Sequence, residues 1–179
     1  MNAPLSAIVV MGVAGCGKSS IGAAIAARSG GRLIEGDAFH PAENIRKMSA
    51  GIPLDDNDRA GWLVRLGQEL QATVSAGERP ILTCSALKRR YRDTLREAMP
   101  ALGFVFLELT PAEAEKRVLA RPGHFMPASL IESQFAALEP PHDEALTLPL
   151  DATQPVAALA EIVDAWLKPC GERTLARTA

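Results

Sequence analysis

The sequence predicts an α/β protein built on a parallel β-sheet, and three features carry that prediction. The chain has 179 residues, of which 47% are hydrophobic and 22% charged, which suits one folded domain with a sizeable core. Short apolar runs alternate with longer segments of helical period, as they do in successive βαβ units. A glycine-rich turn joins the first apolar run to the first helical segment.

Five apolar runs predict the strands, and six segments of helical period predict the main helices. The strands are expected at residues 6–11, 33–34, 81–84, 104–109 and 146–150. The helices are expected at residues 19–29, 59–76, 86–99, 111–121, 127–138 and 156–167. Between the second strand and the second helix, proline and glycine breakers predict a loop with a short helix.

Local signals justify several of these helices. A glycine pair ends the first, because glycine commonly follows the last helical turn. In the second, Trp62 and Leu66 lie four apart and are predicted core residues. Ser85 is expected to cap the third, and Thr110 with Pro111 to begin the fourth. The chain is predicted to form a single domain over residues 1–168, followed by a disordered tail at residues 169–179.

Composition excludes several classes of function. The net charge is −2 and aromatic residues make up 4%, so neither a basic surface nor stacking platforms for nucleic acid are expected. The three cysteines are widely spaced and predict no disulfide framework, which favours a reducing compartment. The N-terminal apolar run lacks a basic region before it, and no run approaches a bilayer span. The expectation is a cytoplasmic protein that binds neither nucleic acid nor membrane.

The glycine-rich turn matches the phosphate-binding pattern G-x-x-x-x-G-K-S/T over its full length. Its residues are Gly12, Val13, Ala14, Gly15, Cys16, Gly17, Lys18 and Ser19, and Ser20 continues into the helix. Main-chain N–H groups in such a turn bind phosphate oxygens, helped by the positive end of the helix. Lys18 is expected to bridge the terminal phosphates of the nucleotide, and Ser19 to bind Mg²⁺. The sequence therefore predicts nucleoside triphosphate binding.

Two features limit which class of phosphate-loop protein the chain can be: the motifs that are absent and the positions of the acidic residues. The chain has no Asn-Lys-x-Asp motif that would read guanine, and no acid ends the third strand. Asp58-Arg59-Ala60-Gly61 matches the Asp-x-x-Gly pattern of a GTPase switch, but no predicted strand precedes it. The candidate acids instead follow the second strand, as Glu35 and Asp37.

Three blocks of sequence resemble the gluconokinase family. They are Glu35-Gly36-Asp37-Ala38-Phe39-His40-Pro41 with the residues up to 63, residues 84–93, and Arg121-Pro122-Gly123-His124-Phe125 with Gln134-Phe135. The similarity extends over about residues 8–163. It implies transfer of the ATP γ-phosphate to the 6-hydroxyl of D-gluconate. It also implies a three-layer α/β/α P-loop kinase fold with strand order 2-3-1-4-5, an acceptor-binding region at about residues 38–76, a mobile lid at about residues 117–127, and commonly a homodimer.

The resemblance suggests roles for the polar residues near the strand ends. Asp37 is expected to hold the acceptor hydroxyl and take its proton, and Glu35 to face Mg²⁺ through water. The alternative is that both only cap the turn at His40-Pro41. His40 either bonds a substrate hydroxyl or orients the loop.

Cations are expected to bind the gluconate carboxylate and the transferred phosphate. Arg59 is the first candidate for the carboxylate and Arg46 the second, because a guanidinium binds a carboxylate through two hydrogen bonds. Lys88 is expected to reach the substrate. Arg117 and Arg121 are expected to stabilise the transferring charge, with Arg121 also near the adenine. The alternative for each arginine is a solvated charge or a pair with a glutamate one helical turn away.

Two other functions remain open from the residues alone. One is a P-loop kinase for another small molecule, of the shikimate or nucleoside monophosphate type. The other is a nucleotide-binding regulatory module without turnover.

Overall fold

Five parallel strands form a single sheet, and their order 2-3-1-4-5 confirms the predicted topology. The structure is a computed structural model, and it describes residues 5–120 and 128–168. Arg121, most of the expected lid and the expected tail at residues 169–179 lie outside the described residues. The strands are β1 Ala7–Met11, β2 Arg32–Glu35, β3 Pro80–Thr83, β4 Leu102–Glu108 and β5 Thr147–Asp151.

Helices cover both faces of this sheet. They are α1 Lys18–Ser29, α2 Ala42–Ser49, α3 Asp56–Ser75, α4 Arg89–Ala98, α5 Pro111–Leu119, α6 Ala128–Ala137 and α7 Val156–Leu167, with a 3-10 helix at Gly36–Phe39. Successive side chains of β1 point to opposite faces of the sheet and therefore pack into two separate hydrophobic cores. Ile8 and Val10 pack with α1 and α7, whereas Val9 and Met11 pack with α3 and α4. The result is the predicted three-layer α/β/α arrangement.

Two helix starts differ from the sequence prediction by three residues. Helix α3 begins three residues earlier than expected, because Asp55 and Asp58 form a reciprocal capping box. The prediction that Ser85 caps α4 is wrong, since Lys88 occupies that position without a side-chain cap. Ala86 between them has φ of 44°, so the chain turns before the helix begins.

The carboxyl ends of the strands meet at one edge of the sheet. β1 pairs in parallel with both β3 and β4, and β2 pairs with β3 so that Glu35 lies opposite Thr83. The glycine-rich turn after β1 and the 3-10 helix after β2 therefore emerge at the same edge, on either side of β3. Open α/β sheets bind their ligands at this edge.

The part of the chain that the structure describes contains no helix long and apolar enough to cross a membrane. Two cysteines lie within this part, Cys16 and Cys84, and both are buried and free. Burial raises the pKa of the Cys84 thiol to about 12, so it stays protonated at neutral pH.

Candidate active site

The phosphate loop presents unpaired main-chain donors at the start of α1. Gly17, the residue before the helix, has φ of 95° and supplies no side-chain cap. A positive φ of this kind is readily available only to glycine. The first N–H groups of α1 have no partner within the helix, so they and the positive end of the helix are available to an anion.

The predicted lysine lies on this loop. Lys18 Nζ donates to the carbonyl oxygens of Gly12 and Val13, at 3.1 Å each. These contacts hold the ammonium group over the loop, where a terminal phosphate would compete for it.

Three of the predicted phosphate-binding amides already have protein partners. Gly12 N–H donates to the carbonyl of Ser85 at 3.3 Å. Cys16 N–H donates to the carbonyl of Val13 at 3.3 Å. Ala14 N–H donates to the side-chain oxygen Oε1 of Gln134 at 2.7 Å. The structure therefore directs the open anion site toward the Gly17 end of the loop rather than toward Ala14.

A hydroxyl and a carboxylate meet beside the loop, as expected for a magnesium site. Ser19 Oγ donates to Glu35 Oε2 at 3.0 Å, and Thr83 Oγ1 donates to the same oxygen at 2.5 Å. Within residues 5–120 and 128–168, no three His, Cys, Asp or Glu side chains cluster as a complete metal cage. Mg²⁺ in nucleotide sites uses few protein ligands together with phosphates and water, so these residues fit that ion.

The turn after β2 is pressed against the sheet and exposes Asp37. A Cβ atom at Gly36 would lie 2.3 Å from the carbonyl oxygen of Thr83, so only glycine fits there. Trp62 Nε1 donates to the Gly36 carbonyl at 2.9 Å and fixes the turn from the other side. The next side chain, Asp37, is 85% exposed and lines a cavity.

The contacts of His40 favour the second of its two expected roles, orienting the loop. Its ring stacks on Trp62 with centroids 4.0 Å apart, and its Nδ1 lies 3.3 Å from Asn44 Nδ2. Its side chain is only 3% exposed, and it does not line the cavity beside Asp37. Burial lowers the pKa of His40, an effect that the nearby Asp37 opposes and Arg59 supports, so the ring is neutral at pH 7.

The cavity beside Asp37 has a volume of about 430 Å³. Its polar lining is Asp37, Ser49, Arg59, Lys88, Tyr91, Ser133 and Gln134. Its apolar lining is Met48, Ile52, Pro53, Leu54, Leu87, Leu130 and Ala137. The walls thus come from α2, α3, α4 and α6 and the loops between them, with the 3-10 helix contributing the acid.

Arg59 and Lys88, two of the cations expected to bind the substrate, line this cavity. The Arg59 guanidinium lies 5.6 Å from the centre of the Tyr91 ring, with Nη1 3.4 Å from Ser85 Oγ. Lys88 Nζ donates to Asp56 Oδ1 at 2.8 Å. Hydrogen bonds from Lys88 and Tyr91 lower the pKa of Asp56 to about 2, so this aspartate is ionised and offsets part of the lysine charge. Arg59, which has no carboxylate partner in the described residues, is the better-placed cation for an anionic substrate.

The second carboxylate candidate, Arg46, is not brought to the cavity. Its side chain is exposed on α2, and the cavity lining does not include it. The neighbouring Lys47 is also committed elsewhere, since its Nζ lies 2.6 Å from Asp58 Oδ1.

Arg117 contacts the phosphate loop from α5. Its Nη2 donates to the carbonyl of Ala152 at 2.8 Å, and its Nη1 to the carbonyl of Gly15 at 3.5 Å. Neither partner is a glutamate, so within the described residues Arg117 does not form the alternative pair along its own helix. The guanidinium bridges the loop and the turn after β5.

Two residues with clear site contacts received no role from the sequence. Gln134 touches the loop and lines the cavity. Arg92 is completely buried, donates to the carbonyls of Ala86 and Leu87 at 2.8 and 2.9 Å, and pairs with Glu144. Gln134 belongs to a block that resembles the gluconokinase family, which is the signal that could have identified it. Arg92 belongs to a basic run whose other members are mainly exposed, so the sequence does not distinguish it from them.

The fold and the phosphate loop together define a P-loop kinase. A family model described as an AAA domain matches residues 8–141. The gluconokinase of Gluconobacter oxydans is 48% identical over 137 residues, which is 76% of this chain and 77% of that protein. The thermosensitive gluconokinase of Escherichia coli is 42% identical over 154 residues, which is 86% of this chain and 82% of that protein.

Solved structures of similar proteins also include a gluconokinase. The gluconokinase of Sinorhizobium meliloti has a TM-score of 0.84 at 46% identity, covering 99% of this chain and 100% of that one. A sugar kinase from Janibacter has a TM-score of 0.86 at 45% identity, covering 92% of this chain and 95% of that one. The chain belongs to the gluconokinase family.

Proposed function

We propose that the protein transfers the γ-phosphate of ATP to the 6-hydroxyl of D-gluconate, giving 6-phospho-D-gluconate and ADP. The observation that carries this proposal is the position of Asp37. It lies in a cavity with two cations, at the same sheet edge as the phosphate loop. Membership of the gluconokinase family supplies the substrate.

The loop and α1 bind the nucleotide phosphates in this proposal. The N–H groups of the first helical turn donate to phosphate oxygens, and Lys18 exchanges its carbonyl contacts for the terminal phosphates. Ser19 and Glu35 would hold Mg²⁺, which neutralises charge on the phosphates when it is bound. Arg117, already against the Gly15 carbonyl, supplies further positive charge from α5.

The cavity binds the sugar acid. Arg59 and Lys88 attract the carboxylate, while Asp37 accepts a hydrogen bond from the hydroxyl that attacks phosphorus. Phosphoryl transfer depends mainly on positioning and on charge stabilisation, so the chief task of Asp37 is to orient this hydroxyl. As the new bond forms, the hydroxyl proton passes to the carboxylate.

A coupled ADP-release assay tests this function. The purified protein is given Mg²⁺, ATP and, separately, gluconate, shikimate or AMP, with Lys18→Ala as the inactive control. We expect ADP release with gluconate and almost none with the other two acceptors. Turnover of shikimate or AMP without gluconate would overturn the acceptor assignment. ATP binding without turnover of any acceptor would favour a regulatory module.

A further inference from the structure

Gln134 connects the phosphate loop with the acceptor cavity. It lies on α6 and its side chain is partly buried in the cavity lining, on the same wall as Ser133. Its Oε1 accepts the N–H of Ala14 at 2.7 Å, across 120 positions of sequence. One side chain therefore touches both halves of the site.

The chemistry of this contact fixes the orientation of the amide. A glutamine side chain has one oxygen that accepts and one NH₂ group that donates. A main-chain N–H can only donate, so the oxygen must face Ala14 and the NH₂ group must face away from it. Within residues 5–120 and 128–168, Nε2 of Gln134 makes no hydrogen bond. Its two N–H donors are thus unused among the described residues, on a side chain that lines the cavity.

The other polar groups of the cavity leave a place for a neutral donor. Asp37 accepts hydrogen bonds, and Arg59 and Lys88 are cations suited to a carboxylate. A polyhydroxylated acid also presents hydroxyl oxygens as acceptors, away from its carboxylate. Two of the cavity hydroxyls are directed elsewhere, because Ser133 Oγ donates to the carbonyl of Leu130 at 2.9 Å and the Tyr91 hydroxyl donates to Asp56. Ser49, on the α2 side of the cavity, is the other neutral polar residue of the lining.

We propose that Gln134 is a specificity-determining residue whose Nε2 donates to a hydroxyl oxygen of the acceptor sugar acid, while its Oε1 stays on Ala14. This inference rests on the proposed function and extends it. The contact places a sugar hydroxyl at a fixed position relative to the phosphate loop, so that binding of the acceptor and positioning for transfer depend on the same side chain.

The test compares gluconate with its monodeoxy analogues in the wild type and in Gln134→Met. Methionine keeps the length of the side chain but neither accepts nor donates as the amide does. We expect the KM for gluconate to rise about 3- to 12-fold, the equivalent of one neutral hydrogen bond, with a smaller change in the KM for ATP. In the wild type, the analogue that lacks the hydroxyl bound by Gln134 should have a higher KM than gluconate. In Gln134→Met this difference in KM should disappear, because that hydroxyl no longer has a donor.

Two further variants separate substrate binding from a role in holding α6. Gln134→Glu still offers an oxygen to Ala14 but has no N–H donor, so the same deoxy analogue should again lose its disadvantage. Gln71→Met is the matched control, because Gln71 lies on α3 outside the cavity and donates to the carbonyl of Ala98. Melting temperatures check that each variant is folded.

The outcomes distinguish this inference from the proposed function. A wild type that phosphorylates no gluconate would overturn the proposed function and the inference with it. A wild type that does so, with folded Gln134 variants that keep both the KM for gluconate and the ranking of the deoxy analogues, would overturn the inference alone. Equal losses for gluconate and every analogue would identify Gln134 as a purely structural contact and would also overturn it.

Discussion

Asp37 is the residue whose chemistry the proposed function uses most directly. Its carboxylate is 85% exposed, and Nε2 of the neutral His40 ring lies 3.9 Å from it. The substitution Asp37→Asn keeps the shape of the side chain but removes the proton acceptor and its charge. We expect kcat with gluconate to fall at least about 100-fold, the lower range for a positioned acid–base group. Steady-state kinetics with saturating ATP measures this.

Asp143→Asn is a suitable control, since Asp143 is exposed and does not line the cavity. It should keep wild-type turnover. A kcat near the wild-type value in Asp37→Asn would show that the hydroxyl is oriented by another group.

Arg59 and Arg46 form a matched pair of arginines, one inside and one outside the cavity. Arg59→Lys keeps the charge but loses the flat, two-pronged donor that fits a carboxylate. We expect the KM for gluconate to rise more than the KM for ATP. Arg46→Lys should change neither value. Equal changes in both constants for Arg59→Lys would argue against a carboxylate contact.

Local patterns in the sequence predicted the glycine-rich turn between β1 and α1, but not the partners of its residues. The consecutive Lys18 and Ser19 begin α1, where Ser19 Oγ donates to the Glu35 carboxylate at the end of β2. Arg46 was the second candidate after Arg59 in the sequence analysis, yet it is exposed on α2 and lies outside the cavity. No local pattern identifies Glu144, 52 positions away, as the residue that buries the Arg92 charge.

At the level of elements, Arg92 links three segments of the chain by hydrogen bonds. Its guanidinium joins α4 to the carbonyls of Ala86 and Leu87 before the helix and to the carbonyl of Glu139 after α6. Because Arg92 is completely buried and pairs with Glu144, Arg92→Ala leaves a buried carboxylate without its main partner. We expect the free energy of unfolding to fall by about 3–5 kcal/mol, measured by urea titration.

Arg89→Ala, on the same helix but exposed, is the control and should change this free energy by no more than about 0.5 kcal/mol. A change that small in Arg92→Ala would show that the buried contacts contribute nothing net to stability.

Glu144 gives the same group of elements a pH dependence. Burial raises the pKa of its carboxyl, but hydrogen bonds from Arg92 and Arg96 outweigh that effect and hold the pKa below its ordinary value of 4.5. A carboxyl with a lowered pKa in the folded state stabilises the fold above pH 4.5, and this contribution is lost as the pH falls further. We expect the wild-type free energy of unfolding to decline below pH 4.5 more steeply than that of Glu144→Gln.

Glu115→Gln removes an exposed carboxyl of α5 and should keep the wild-type slope. Parallel curves for the wild type and Glu144→Gln would contradict the assigned pKa direction.

The boundaries of the elements show where sequence patterns succeed. Helix α7 has the predicted bounds, because its apolar period begins directly after Pro155 and ends before Pro169. The start of α4 was missed because a serine before a polar segment resembles a cap. Burial and the hydrogen bonds of Arg92 instead hold Ser85 to Leu87 in an irregular turn, with Ala86 at positive φ.

For the whole molecule, the alternation of strands and helices predicted a parallel sheet, but the strand order came from the family resemblance. Pairing between β1, β3 and β4 joins segments about 70 to 95 residues apart, which local periodicity does not specify. That order brings the phosphate loop, Glu35 and the Asp37 turn to one edge. The cavity then forms between this edge and helices that are distant in sequence.

A crystal structure with gluconate and a non-hydrolysable ATP analogue tests the central claim most directly. The measured quantities are the distances from the 6-hydroxyl oxygen to the γ-phosphorus and to the Asp37 carboxylate. We expect the first to be about 3–3.5 Å, as for reacting atoms held before transfer, and the second to be a hydrogen bond of about 2.6–3.2 Å. Gluconate bound outside the cavity, or bound there with its 6-hydroxyl remote from both Asp37 and the γ-phosphate, would contradict the claim.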